Sequence, residues 1–112
     1  ARVLGFDLDT SIFESHRPTL EQQGAFKRNR PKIHTLDQFA DNREKLRSIL
    51  AGDTVTVLID DGAHTYDAIM KTYKSFKPSL AKEYIYFIED FPDLREVFKK
   101  IERKKISCIA SK

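Results

Sequence analysis

The sequence predicts a single α/β domain with a mostly parallel sheet. Short apolar runs alternate with amphipathic segments along the chain, which is the pattern of strands and helices that follow one another in βαβ units. Two of these runs, residues 55–59 and 84–88, each end in a pair of acids and enclose a helical pattern. A βαβ unit places both strand ends at the same edge of a parallel sheet, and open α/β sheets bind their ligands at that edge.

Length and composition limit the class of protein. The chain has 112 residues, which fits one domain over residues 1–112 with a modest core. With 33% charged and 40% hydrophobic residues, it is expected to be a soluble globular protein rather than a disordered one. Its formal net charge of +3 is mild and its basic residues are spread along the helices, which disfavours nucleic acid as a partner.

Cysteine usage and hydropathy indicate the compartment. Cys108 is the only cysteine, so the chain has no internal disulfide, which is typical of a reducing compartment. The sequence contains no signal peptide and no apolar run of membrane length. We therefore expect a cytoplasmic protein without membrane contact, and its oligomeric state stays open.

Five short runs predict the strands. The first, RVLGFDL, is almost continuously apolar and is expected to be buried on both faces of a sheet. The second alternates between polar and apolar residues, and the remaining three are apolar. The predicted strands are residues 2–8, 32–36, 55–59, 84–88 and 106–110.

Capping residues predict where the helices begin. Thr10 or Ser11 caps a first helix that runs to about residue 16, and Pro18 opens a second one over residues 19–27. The fourth helix is expected to end at residue 79. The predicted starts of the third, fourth and fifth helices are Asp37 or Asp41, Thr65, and Pro92 or Asp93.

Apolar side chains at helical spacing predict which helix faces are buried. The third helix presents Phe39, Leu46, Ile49 and Leu50 on one face. The fourth presents Tyr66, Ile69, Met70, Tyr73, Phe76 and Leu80, with Lys71, Lys74 and Lys77 toward water. Such a stripe is expected to pack on the sheet and not to bind a cofactor.

Carboxylates and one imidazole are predicted to converge at the sheet edge. Asp60, Asp61 and His64 follow one strand, and Glu89 and Asp90 follow the next. Like charges held close together need a proton, a cation or a basic partner, and oxygen ligands suit Mg²⁺, Mn²⁺ or Ca²⁺. For any single acid the alternative is a turn former or a helix cap. The doubled acids on both strands favour a metal site.

The segment VLIDDGAHTYDAIMKTYKSFKPSLAKEYIYFIED resembles the core of the class I S-adenosylmethionine-dependent methyltransferases. The metal-dependent sugar and macrolide O-methyltransferases and the cephalosporin-hydroxylase-like group carry a D-D-G-S-H turn after the fourth strand and an E-D pair after the fifth. Here residues 60–64 read DDGAH and residues 89–90 read ED. Upstream, GFDLD is similar to the second strand, and TLDQFAD is similar to the G-D-Q-x-D turn after the third. The resemblance spans residues 2–91 and implies a Rossmann-like three-layer sandwich.

The resemblance implies that S-adenosylmethionine is the cofactor. Asp7 would accept the two ribose hydroxyls, because a carboxylate offers paired acceptors to a diol. Asp37 and Gln38 would flank the adenine, and Asp60 would also belong to the cofactor site. For Asp7 the alternative is an acid that closes a strand, and for Asp37 and Gln38 it is a helix N-terminus.

The resemblance also implies a metal-assisted reaction on a hydroxyl of a small molecule or sugar. Asp61, Glu89 and Asp90 would hold a divalent metal, with Mg²⁺ favoured, and the metal would lower the pKa of the acceptor hydroxyl. His64 would be the general base, because histidine exchanges a proton readily near neutral pH. The alternative for His64 is a polar residue at a helix N-terminus. Methyl transfer would then be an in-line displacement at the sulfonium, aided by proximity.

Several departures from the family pattern affect the fold that we expect. The family's first strand and glycine-rich loop would precede Arg2, and the final antiparallel strand is also missing. Without the first strand the sheet would lack its centre. Leu36 replaces a glycine, Ala63 replaces a serine, and residues 81–83 replace a Gly-Gly turn. A fragment of a longer protein and a degenerate, inactive domain are the two explanations.

Two other functions remain open from the sequence. FDLDTSIFES resembles the D-x-D-x-T start of haloacid-dehalogenase-like phosphatases. In that case Asp7 would be the nucleophile, Asp9 the acid/base, and Asp60 and Asp61 metal ligands, with Ser11 in place of the expected threonine. The third hypothesis is a non-catalytic Rossmann-like module that binds a partner, in which the basic residues 27–30 contribute.

Overall fold

A computed structural model of the chain describes residues 2–92 and residues 95, 97, 99, 108 and 109. Within these residues the fold is mixed α/β, and all the strand pairs are parallel. In chain order the elements are β1 (Leu4–Asp7), α1 (Ser11–Gln22), β2 (Lys32–Thr35), α2 (Arg43–Leu50), β3 (Val55–Asp60), α3 (Tyr66–Phe76), a 3₁₀ turn (Lys77–Ser79), β4 (Leu80–Ile88) and β5 (Cys108–Ile109). The predicted α/β class with parallel strands is confirmed, but the strands form two small sheets.

The chain divides into two compact units, residues 1–37 and residues 38–112. The first unit contains β1, α1 and β2, and its two strands pair in parallel with Leu4 opposite Lys32 and Asp7 opposite Thr35. Gly5 leaves room for the Ile33 side chain, because a Cβ at this position would lie 2.7 Å from Ile33 Cδ1. β1 is only half-buried, so the prediction of a strand buried on both faces is wrong. A two-stranded sheet lacks the neighbouring strands and helices that bury both faces.

Helix α1 corrects the prediction of two short helices in the first unit. It runs unbroken from Ser11 to Gln22, with Pro18 inside it. Proline removes one backbone hydrogen bond from a helix interior, but helical structure continues on both sides of Pro18. Before the proline, Arg17 forms an ion pair with Glu14 at 2.9 Å. Neither Thr10 nor Ser11 caps the helix through its side chain; instead Asp9 Oδ1 accepts the N–H of Ser11 at 2.9 Å.

The second unit contains a three-stranded parallel sheet in the order β3-β4-β5. Helix α3 begins after Thr65, whose hydroxyl accepts the N–H of Ala68 at 3.1 Å. The predicted stripe of α3 is confirmed for Ile69, Met70 and Tyr73, which are buried, together with Phe76. Among the described residues of this unit, the buried apolar ones are Leu46, Leu50, Leu58, Ala68, Ile69, Met70, Tyr73, Phe76, Tyr86, Ile88 and Val97.

The start of α2 differs from the prediction. Asn42 precedes the helix, in place of Asp37 or Asp41, and its backbone N–H donates to Ser75 Oγ at 3.1 Å. Phe39 therefore lies before the helix and is 46% exposed, so its predicted place on the buried face is wrong. Leu46 and Leu50 do form the buried face of α2, as predicted.

Strand β4 is longer than predicted and irregular at its start. Val55 pairs with Leu80 and Val57 with Ile85, so β3 advances two residues while β4 advances five. Residues 81–83, for which the sequence predicted an altered loop, lie within this irregular stretch of β4. The altered loop that the sequence predicted is thus an interruption in strand pairing.

The end of the chain is described only in part. Arg95, Val97 and Lys99 are helical, in agreement with the helix predicted in this region. Pro92 is not helical, and the start of the helix lies outside the described residues. β5 falls within the strand predicted for residues 106–110, and the burial of Cys108 lies outside the described residues. In the described part of the chain, no helix has both the length and the apolar character needed to cross a membrane.

Candidate metal centre

The site lies at the carboxyl ends of β3 and β4. Asp60 pairs with Ile88 in the parallel ladder, so the residues that follow the two strands emerge side by side. The pairing continues one step beyond β4, because the N–H of Glu89 donates to the carbonyl oxygen of Asp60 at 3.0 Å. Two turns that are distant in the sequence are thereby fixed next to each other.

Three side chains from these turns form the candidate metal centre: Asp61, His64 and Asp90. One ligand atom from each lies within 4.8 Å of the other two, and all three residues are exposed. His64 Nε2 is 3.8 Å from Asp61 Oδ1, which is too long for a hydrogen bond. Two carboxylates and a neutral imidazole carry two negative charges, and this charge matches that of one divalent cation.

The orientation of His64 is set by the backbone of the neighbouring turn. Its Nδ1 lies 3.1 Å from the carbonyl oxygen of Glu89. A carbonyl only accepts hydrogen bonds, so we infer that Nδ1 carries the proton. In the neutral ring, Nε2 then presents a lone pair to the cluster. A histidine that donates one N–H to a backbone carbonyl and turns its other nitrogen inward has the arrangement of metal-ligating histidines.

Two of the three cluster residues have a left-handed backbone. His64 and Asp90 both have φ of 57°. This conformation is uncommon outside glycine, although His and Asp tolerate it better than most residues. In the described part of the chain the only other non-glycine residue with positive φ is Ala51, where α2 ends. Such backbone outliers cluster at functional sites.

Asp60 lies beside the cluster but belongs to a buried network. Asp60 is 6% exposed, and its carboxylate accepts hydrogen bonds from Gln38 Nε2 at 3.0 Å and from the Tyr86 hydroxyl at 3.1 Å. The N–H of Gly62 also donates to it at 3.1 Å. Gln38 in addition donates to the Thr72 hydroxyl at 2.8 Å and accepts the N–H of Ala63 at 3.0 Å. These buried hydrogen bonds therefore fix the turn that carries His64.

The structure brings three of the eight predicted site residues together. Asp61, His64 and Asp90 form the cluster, whereas Glu89 is not part of that group and contributes its backbone carbonyl. Asp60 and Gln38 have structural roles, and their assignment to cofactor binding stays a prediction.

The other two predicted cofactor residues, Asp7 and Asp37, lie in the first unit and are exposed. Asp7 ends β1, and its Oδ1 accepts the N–H of Asp9 at 3.2 Å. Their assignment to the ribose and the adenine stays a prediction.

Sequence reasoning missed two contributors to the site. Tyr86 holds Asp60, and a tyrosine in an otherwise apolar strand is a usable signal, because a buried hydroxyl needs a partner. The carbonyl of Glu89 has no sequence signal, since every residue carries one. Compared with known protein families, with curated proteins and with solved structures, the chain matches none.

Proposed function

We propose that this chain is an S-adenosylmethionine-dependent, divalent-metal-assisted O-methyltransferase domain that acts on a hydroxyl of a small molecule or sugar. The observation that carries the proposal is the convergence of Asp61, His64 and Asp90 at the carboxyl edge of β3 and β4, with His64 oriented by the Glu89 carbonyl. This edge is where open α/β sheets bind their ligands. The DDGAH and ED motifs give the convergence its chemical interpretation.

The three residues would hold Mg²⁺ or Mn²⁺. Carboxylate oxygens suit both ions, and one imidazole nitrogen favours Mn²⁺ over Mg²⁺. When bound, such an ion polarises an oxygen of the acceptor and favours its ionised form. The exposure of all three side chains leaves the site open to an acceptor from solvent.

We propose that His64 is a metal ligand rather than the general base that the resemblance implies. Nε2 has one lone pair, so it either binds a cation or accepts a proton from the acceptor hydroxyl. The Glu89 carbonyl turns that lone pair toward the carboxylates of the cluster. With His64 as a ligand, a cluster carboxylate or water would take the proton.

The division into two parallel sheets supports the methyltransferase part of the proposal. A Rossmann-like sheet without its central strand would leave a pair of strands and a separate group of strands, each parallel. The chain has β1-β2 and β3-β4-β5. Asp7 lies exposed at the carboxyl end of β1, where the resemblance implies a ribose-binding acid.

Manganese binding tests the metal centre. We expect Mn²⁺ titrated into the chain, followed by electron paramagnetic resonance, to bind at one site, and Asp61→Asn or Asp90→Asn to weaken it at least about tenfold. Asp53→Asn is the matched control, because it removes the same charge at the opposite end of β3 and should leave the affinity unchanged. Equal affinities in all four proteins would overturn the metal centre.

Calorimetric titration with S-adenosylhomocysteine tests the cofactor. We expect binding that Asp7→Ala weakens and Asp53→Ala does not. Manganese binding without S-adenosylhomocysteine binding would retain the metal centre and reject the methyltransferase. It would then favour the non-catalytic module.

The geometry at Asp9 weighs against the phosphatase. Hydrogen bonds from the side chain and the backbone N–H of Ser11 lower the pKa of Asp9. A general acid must carry a proton near neutral pH, and a lowered pKa opposes this. Hydrolysis of an aryl phosphate that is lost on Asp7→Asn would reinstate this function.

A further inference from the structure

β3 is an edge strand of the second unit. In the part of the chain that the structure describes, β3 pairs with β4 alone, and β4 lies between β3 and β5. On the side of an edge strand that has no neighbour, alternate residues present backbone N–H and carbonyl groups that no other strand satisfies. Between Val55 and Ile59 the strand contains no proline and no charged side chain. It therefore lacks the residues that commonly keep an edge strand from pairing with another chain.

One face of this edge carries an exposed apolar patch. Leu58 is buried, whereas Val57 and Ile59 are 51% and 62% exposed. Ile85 of β4, which pairs with Val57, is 40% exposed. Because alternate residues of a strand share one face, Val57, Ile59 and Ile85 form one contiguous surface, the β3 patch. An exposed apolar patch next to an unpaired strand edge is typical of an interaction surface.

The edge and the patch define the chemistry of the partner. Unpaired backbone groups at a sheet edge bind an extended strand, which adds to the sheet through main-chain hydrogen bonds. The side chains from Val55 to Ile59 are uncharged, so a charged partner strand would find no opposite charge there. The partner strand needs apolar side chains at alternate positions instead. β3 of a second copy of this chain has this pattern.

We propose that two copies of this chain pair through β3, antiparallel and about a two-fold axis. A two-fold contact uses the same surface of both copies and closes after two. With the axis at Leu58, Val57 of each copy lies opposite Ile59 of the other, so the two β3 patches join. Asp61 then lies opposite Val55 of the other copy. The pairing does not depend on the proposed methyl transfer.

The charges at the two ends of β3 distinguish this register from the neighbouring one. With the axis at Val57, Asp53 of each copy would lie opposite Asp61 of the other. Like charges that lie directly opposite each other destabilise a strand pair. The axis at Leu58 avoids this contact and is therefore favoured over the axis at Val57.

Sedimentation equilibrium measures the association directly. EDTA is present throughout, so that no cation bridges the Asp61 carboxylates of two copies. We expect a monomer–dimer equilibrium. In hydrogen exchange, the β3 amides that point away from β4 should exchange more slowly as the chain concentration rises, because they donate to another strand only in the dimer.

One substitution and its matched control locate the interface. Ile59→Lys is expected to weaken the dimer at least about tenfold, because it places an ammonium group in an apolar contact. Ile12→Lys is the control, since Ile12 is 68% exposed and lies on α1, and it should leave the dimer unchanged. Circular dichroism verifies that both variants fold.

Two oppositely charged double variants test the pairing by rescue. Val57→Lys with Ile59→Lys, and Val57→Glu with Ile59→Glu, should each be monomeric alone, because like charges would meet across the axis. Mixed in equal amounts, the two variants should form a heterodimer that added salt weakens. Rescue in the mixture shows that both variants are folded and that β3 is the shared surface.

Three results would overturn the proposal. The first is a wild-type chain that stays monomeric at submillimolar concentration. The second is a dimer that Ile59→Lys weakens no more than Ile12→Lys does, which would place the interface elsewhere. The third is open-ended assembly that binds thioflavin T, because a two-fold pair closes after two copies.

Discussion

Asp60 and Asp61 are neighbours in the sequence but lie in opposite environments. Asp60 is the last residue of β3, is buried and accepts hydrogen bonds from Gln38, Tyr86 and Gly62. Asp61 is exposed and shares a cluster with two other candidate ligands. The pair of acids at the end of β3 therefore contains one structural and one candidate functional residue.

The contrast shows how a strand end builds a site. The buried carboxylate of Asp60 fixes the turn, because it accepts hydrogen bonds from the N–H of Gly62 and from the amide of Gln38. The Gln38 amide in turn accepts the N–H of Ala63. The exposed carboxylate of Asp61 has no such structural role among the described contacts, so it is available to a ligand. We therefore expect substitution of Asp60 to lower stability, and substitution of Asp61 to weaken ligand binding.

The largest expected effect is on stability, in Asp60→Ala. This change leaves the buried Tyr86 hydroxyl and the Gln38 amide without their shared acceptor. We expect a loss of about 2–4 kcal/mol in the free energy of unfolding, measured by denaturant titration. The matched change Asp61→Ala should cost less than about 0.5 kcal/mol. Similar losses in both variants would break the comparison.

The next effect concerns the close packing beneath the turn. In Gly62→Ala the new Cβ would clash with Gln38 Oε1, and it would lie 2.8 Å from Cδ of the same amide. That amide is held by several hydrogen bonds, so it cannot move without breaking them. We expect a loss of about 1–3 kcal/mol.

A double-mutant cycle identifies the obstacle. In a Gln38→Ala background the same Gly62→Ala substitution should cost at least about 1 kcal/mol less, because the amide is gone. An unchanged cost would show that Gly62 is required for its backbone and not for the space it leaves.

The third prediction concerns the exposed acid of the pair. Excess Mn²⁺ should stabilise the wild-type chain, by about 2.7 kcal/mol at a concentration one hundred times the dissociation constant. Asp61→Asn should unfold like the wild type without metal and gain little from Mn²⁺. Thermal unfolding with and without Mn²⁺ measures both quantities. If Asp61→Asn is less stable than the wild type without metal, Asp61 stabilises the fold as Asp60 does.

The sequence predicted the position of both acids at the strand end, but not that Asp60 is buried and Asp61 exposed. Long periodic segments identified β3, α3 and β4, and parallel pairing predicted that Asp61 and Asp90 would meet. Successive residues at a strand end point in opposite directions, so a shift of one residue decides which acid is buried. The prediction ended the strand at residue 59, whereas Asp60 still belongs to it.

The errors elsewhere have similar local causes. The sequence predicted a break at Pro18, because proline disfavours a helix interior, but α1 continues through it. The hydrogen bonds by which Gln38 links Asp60, Thr72 and Ala63 were not predicted, and the assignment of Gln38 to the cofactor site stays a prediction. Such links join residues far apart in the chain, and no local pattern encodes them.

The smallest expected effect is at an exposed acid that has a partner but no buried network. Hydrogen bonds from Arg43 lower the pKa of Asp41 from its ordinary value of 3.8 to about 2. The pair therefore stabilises the fold above pH 3.8, and this contribution is lost as the pH falls through about 2. Because both groups are exposed, it should be small. A carbon-detected NMR titration should place the Asp41 midpoint near 2, and Arg43→Gln should return it toward 3.8. A midpoint that Arg43→Gln does not move would mean that the backbone N–H, rather than the guanidinium, holds this carboxylate ionised.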